Sequence, residues 1–79
     1  MAMENEWHSE LPDGREVVIQ RHGQHWIVHC GNSHVYGDNL DVALAQVIRA
    51  ETGVVVAHVG GVDYPSWIRS VADRLTRDA

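Results

Sequence analysis

The sequence predicts a small α+β domain, an antiparallel sheet with helices packed on one face, in the order β-β-β-α-β-α. Three observations lead there. Residues 16–36 hold three short stretches rich in β-branched side chains, parted by glycine turns. Residues 39–53 open on an N-capping residue, carry one apolar stripe and stop at a glycine. Residues 64–75 repeat an apolar residue every three or four positions. At 79 residues the chain makes one domain. A domain of that size buries only about 60–65% of its unfolded surface, so a homodimer is a natural way to add burial.

The elements follow in order. "MAMENEWHSE" is polar without periodicity and reads as a flexible N-terminal arm over residues 1–10, with Trp7 able to pin it to the body and residues 11–79 forming the domain. "LPDG" at 11–14 is a turn. "EVVIQRH" (16–22) is a strand, Gly23-Gln24 a two-residue hairpin loop of type II′, and "HWIVHC" (25–30) the return strand. "GNS" turns the chain into a short third strand, "HVY" (34–36). Asn39, with Asp38 as a nearby alternative, caps a helix, Asp41 complements its dipole, and Leu40, Ala43, Leu44, Val47 and Ile48 form its stripe. Gly53 ends it in the left-handed conformation. "VVVAHV" (54–59) is too β-branched to extend the helix and reads as a fourth strand, ended by Gly60-Gly61. "DYPSWIRSVADRLTRD" is a second helix with Pro65 in its first turn and a stripe of Tyr64, Trp67, Ile68, Val71, Ala72 and Leu75.

Composition narrows the function classes. Six Arg, no Lys and eleven acidic residues leave a net charge of −5. Phosphate contacts need clustered cations, so nucleic acid is not an expected partner. Arg69, Arg74 and Arg77 alternate with Asp73 and Asp78 on the last helix, as on a solvated ion-pair face. The longest apolar run, 54–62, is broken by His58, Gly60 and Gly61, so no membrane span is expected. A single cysteine and no apolar leader point to the cytoplasm.

"RHGQHWIVHC" concentrates three histidines and the only cysteine in ten positions. A loop at Gly23-Gln24 pairs His22 with His25 and Val17 with Cys30, and alternation then separates two faces. Val17, Ile19, Trp26, Val28 and Cys30 share the core face. Val18, Gln20, His22, His25, Ile27 and His29 share the other. Cys30 therefore points away from the imidazoles. His22 and His25 lie about 5 Å apart at Cβ and could hold one metal between them. His29 lies about 13 Å further along the strand. Two ligands fall short of a structural or catalytic zinc set, and His34 or His58 would have to complete it. The expectation is therefore no metal and no cofactor, with His22 and His25 as the alternative metal pair.

"HWIVHC", the short third strand and "GDNLDVALAQVIRAE" together resemble the HicB-type antitoxin domain. That family shows a W-x-V strand, then Gly-Asp-Thr-x-Glu-Glu-Ala opening a helix. Gly37, Asp38, Asn39, Leu40, Asp41, Ala43 and Leu44 match, with Asn39 standing for Thr and Val42 for the second acidic residue. The match covers about residues 16–59. "GNSHVYG" replaces the family's proline-rich connection, and a single helix stands where a DNA-binding segment often follows. The resemblance implies a partial double-stranded-RNA-binding-like fold, β-β-β-α-β, extended here by a C-terminal helix, in a protein that dimerises and blocks a toxin ribonuclease.

The expected function is a non-catalytic interaction or regulatory module, an acidic chain able to mask a basic protein partner. The alternative is a metal- or small-ligand-binding module using the histidine face. An enzyme is not expected: Cys30 reads as buried, no serine sits at triad spacing, and "HVGGVD" lacks the ending of a phosphate loop. The partner-binding candidates are Val18, Ile27, His29 and Trp67. Trp67 belongs either to the core or to an interface, and the outer sheet face is expected to be partly covered, by the last helix or by a partner.

Overall fold

A computed structural model of the chain describes residues 6–55, 58–59 and 62–78. Its centre is a hairpin of β2 (Glu16–His22) and β3 (His25–Cys30), joined by Gly23-Gln24. Gly23 has φ +64° and no described residue other than glycine has positive φ. A positive angle at the first loop position alone is the type II′ geometry that matches strand twist. The register is the one that loop dictates, from His22 opposite His25 to Val17 opposite Cys30. A second two-residue loop, Gly31-Asn32, leads into β4 (Ser33–Gly37), which pairs antiparallel with β3.

The sheet has a further strand on its other side. Residues 6–10, expected as part of a loose arm, form β1 (Glu6–Glu10), antiparallel to β2 from Glu6 opposite Gln20 to Glu10 opposite Glu16. The physical reason is an alternation with few apolar members. Trp7 turns inward, its ring centroid 5.8 Å from that of Trp26, while Glu6, His8 and Glu10 take the opposite face. The sheet order is β1-β2-β3-β4, a simple antiparallel meander.

Helix α1 (Leu40–Thr52) starts where the Asn39 side chain accepts the Val42 N–H at 3.3 Å. It ends at Gly53, φ +78°, whose N–H donates to the Arg49 carbonyl at 2.8 Å. The strand expected over 54–59 is not in this sheet. Val54 packs on the core and Val55 is exposed, neither in a strand; positions 56–57 lie outside the described residues. At its end β5 (His58–Val59) does form, pairing with β6 (Val62–Asp63) as a separate two-stranded ribbon. The sheet position beside β2 is already taken by β1. Helix α2 (Tyr64–Asp78) follows, with the Ser66 N–H donating to Asp63 Oδ1 at 2.9 Å across its first turn.

The fold is thus α+β in two layers. One core joins the inner sheet residues Val17, Ile19, Trp26, Val28 and Cys30 to Leu44, Val47 and Ile48 of α1 and Ile68, Val71 and Leu75 of α2, all buried. Both helices therefore serve the same face of the sheet. Among the described residues no helix is long and apolar enough to cross a membrane.

Candidate interaction face

Every second residue of the four strands points away from the helices. The pairing arranges these outward side chains in rows. Glu6, Gln20, Ile27 and Tyr36 make one row across the sheet. His8, Val18, His29 and His34 make the next. Glu10 and Glu16 lie beyond them at one end, and His22 and His25 at the other. Val18, Ile27 and His29 are half-buried, and Tyr36 is 60% exposed.

Three of the expected partner-binding residues, Val18, Ile27 and His29, are therefore neighbours on this face. Trp67 is not with them. It is half-buried and packs against the core from α2, on the helix layer. Of the two coverings expected for Val18 and Ile27, the last helix is not one: the apolar stripe of α2 is used on the inner face, and among the described residues neither helix covers the outer face.

The face is charged unevenly. On its β1–β2 half, the two ring nitrogens of His8 meet Glu6 at 2.9 Å and Glu16 at 3.2 Å. A carboxylate oxygen only accepts, so both bonds are made together by the imidazolium, which donates from both nitrogens. The hydrogen bond to Glu6, then that to Glu16, raise the His8 pKa above its ordinary 6.5. Glu6 is lowered from 4.5, first by the Gln20 amide donating to it and then by His8. The β3–β4 half carries imidazoles and a phenol. The rings of His29 and His34 lie 5.9 Å apart, and those of His25 and Tyr36 5.2 Å. His25 Nδ1 is hydrogen-bonded to Asp38.

At the Glu16 end an open groove of about 420 Å3 is lined by Arg15, Glu16, Val18, His29, Gly31 and Glu51. Glu51, near the end of α1, reaches the second hairpin loop: Ser33 Oγ donates to it at 2.9 Å and the Arg15 guanidinium approaches at 3.5 Å. Gly31 is favoured there. Its φ is +59°, and a Cβ would stand 2.1 Å from a Glu51 oxygen.

Cys30 is buried on the other side of the sheet, and its thiol pKa is raised, first by burial and then by the Glu51 charge. His22 and His25 stand opposite one another as expected, and His34 lies in the His29 row instead of beside them. Among the described residues no three His, Cys, Asp or Glu side chains are grouped to hold a metal ion. The side chain of His58 lies outside the described residues. What sequence reasoning missed is the acidic edge of the face, because β1 was read as a loose arm; the alternation of Glu6, His8 and Glu10 around Trp7 and Ser9 was the available signal.

No protein-family model, no curated protein and no solved structure matches the chain.

Proposed function

We propose that this chain is a non-catalytic interaction or regulatory module of the HicB-like antitoxin type, and that the open sheet face is where it docks. The observation that carries this reading is the pair Val18 and Ile27. They lie diagonally adjacent at the middle of a face that neither helix covers, ringed by ionisable side chains and Tyr36. An apolar centre with a polar rim and an aromatic residue is the usual anatomy of a protein interface. The "GDN" turn and the Asn39-capped helix after the third hairpin strand support the antitoxin-like assignment. A net charge of −5 and the three carboxylates on the β1–β2 half favour a basic protein as the partner, in the cytoplasm.

The test is affinity capture from the native host. The tagged chain is expected to retain a small basic protein, Ile27→Arg to lose it, and Val42→Arg on the exposed side of α1 to keep it. Recovery of the tagged chain alone, or capture indifferent to Ile27→Arg, overturns the reading.

One observation favours a second reading. Asp38 holds His25 Nδ1, the arrangement that prepares Nε2 for a metal. Zinc or nickel binding through His25 and His22 would shift their NMR signals at neutral pH; unmoved signals end that reading.

A further inference from the structure

We propose that Glu6, His8, Glu16 and Gln20 form a proton-operated clasp that holds β1 on the sheet, and that loss of the His8 proton lets β1 peel from β2 while the rest of the fold stays closed. The clasp works whatever docks on the open face.

Four side chains link the two strands. Gln20 of β2 donates its amide to Glu6 Oε1 of β1 at 3.0 Å. The other Glu6 oxygen accepts from His8 Nε2 at 2.9 Å, and His8 Nδ1 donates to Glu16 of β2 at 3.2 Å. The strands are thus tied twice, and His8 joins the two ties. Only the imidazolium makes both of its bonds. A neutral imidazole has one N–H and one lone pair, so one of the two carboxylates would face that lone pair.

The surroundings make this loss felt. Glu10 stands directly opposite Glu16 in the register, a like-charged cross-strand pair that weakens a ladder. Val18 of β2, opposite His8, is apolar. Beyond it in the same row come His29 of β3 and His34 of β4, their rings 5.9 Å apart. Arg15, next to Glu16 in sequence, is drawn to Asp13 at 3.0 Å and to Glu51 at 3.5 Å. Both helices pack on the opposite face, and Glu51 of α1 reaches the Glu16 end of this one. Once the proton leaves, Glu6, Glu10 and Glu16 lose the cation between them.

The fold can release β1 without opening its core. It is the edge strand and pairs with β2 alone. None of its residues is fully buried, and among the described residues the buried core begins at Leu11. Leu11 is the pivot: its N–H donates to the Arg15 carbonyl at 2.7 Å and its carbonyl accepts the Gly14 N–H at 2.8 Å. Segments with few buried contacts open locally, at less cost than global unfolding. Release uncovers the backbone edge of β2 and the side of Trp26 against which Trp7 packs. Glu6 and then Glu16 raise the His8 pKa above 6.5, so the clasp is complete below 6.5 and is lost as pH rises through the folded value.

Amide hydrogen exchange of the full chain tests this, followed by NMR through the His8 titration and corrected for the intrinsic rise in rate with pH. Protection of the amides that bond β1 to β2 is expected to fall about threefold or more as pH rises, the size of one lost exposed charge-assisted bond. The midpoint is expected at the His8 titration in the same spectra. Amides that bond β2 to β3 are expected to be at least about tenfold better protected throughout, since they open only with the whole fold. His8→Gln, neutral at every pH, is expected to show no step, Glu16→Gln a smaller one and His29→Gln the full one; circular dichroism confirms that each variant is folded. The parent profile and its midpoint stand as a test without the variants. No step in the parent, equal protection of the two ladders, a step that survives His8→Gln, or one that vanishes in His29→Gln overturns the inference.

Discussion

Replacing Gly31 with Ala tests the contact between α1 and the second hairpin. Two costs combine. At φ +59° an L-residue costs about 1–2 kcal/mol. The new methyl would also stand 2.1 Å from Glu51 Oε2, the end of a side chain that can swing away. Swinging away breaks the 2.9 Å bond from Ser33 Oγ and the 3.5 Å approach of Arg15. Glu51 is only 21% exposed, and a hydrogen bond to a charged, part-buried acceptor is worth about 1–2 kcal/mol. The total is roughly 2–4 kcal/mol. Gly23→Ala is the internal control: its φ is +64° and nothing lies within 4 Å of an added Cβ, so only the backbone cost applies. Urea unfolding should place Gly31→Ala about 1 kcal/mol below Gly23→Ala at an unchanged m-value. For a domain this small that gap is about 4–8 °C in Tm. In a Glu51→Ala background the gap should close. Equal losses for the two glycines, or a gap that persists without Glu51, would refute the clamp.

Other outcomes follow from single residues. Native Cys30 should resist alkylation near about pH 8 and react only on unfolding, because burial raises its pKa; labelling at the rate of a free peptide thiol would contradict its placement. The His8 imidazole should titrate above 6.5 by NMR and fall back in Glu6→Gln. With its folded pKa raised, the stabilisation from His8 is complete below 6.5 and lost as pH rises through the folded value. Glu6 has the opposite sign: its contribution is present above 4.5 and lost as pH falls through its lowered folded value. Leu44→Ala, at a fully buried site, should cost about 3–5 kcal/mol and leave much of the population unfolded by circular dichroism. Asn39→Ala should cost about 1 kcal/mol by removing the cap of α1.

Much of the fold was legible because local chemistry and global packing agree. A two-residue loop at Gly23-Gln24 allows one pairing, and the six pairs from His22–His25 to Val17–Cys30 all form. The same parity sends Cys30 inward and the imidazoles outward. The stripe of Leu40, Ala43, Leu44, Val47 and Ile48 is the buried side of α1. Two segments are less legible. Residues 6–10 have one large apolar residue, so hydropathy hid a strand that cross-strand pairing and the Trp7–Trp26 contact stabilise. Of residues 54–59, His58–Val59 do form a strand, but it pairs with β6 in a separate ribbon instead of joining the sheet. On the candidate face, Val18, Ile27 and His29 were readable from register. The contacts of Glu51 with Arg15 and Ser33 were not, since they join positions far apart in sequence.

The separation of the sheet into two faces has a consequence for change. Positions 18, 20, 27, 29, 34 and 36 contribute side chains to the outside alone, whereas their sequence neighbours hold the inside together. New specificity can therefore be written onto this protein without renegotiating its folding. A library randomised at those six codons should yield mostly well-formed proteins that differ in what they recognise.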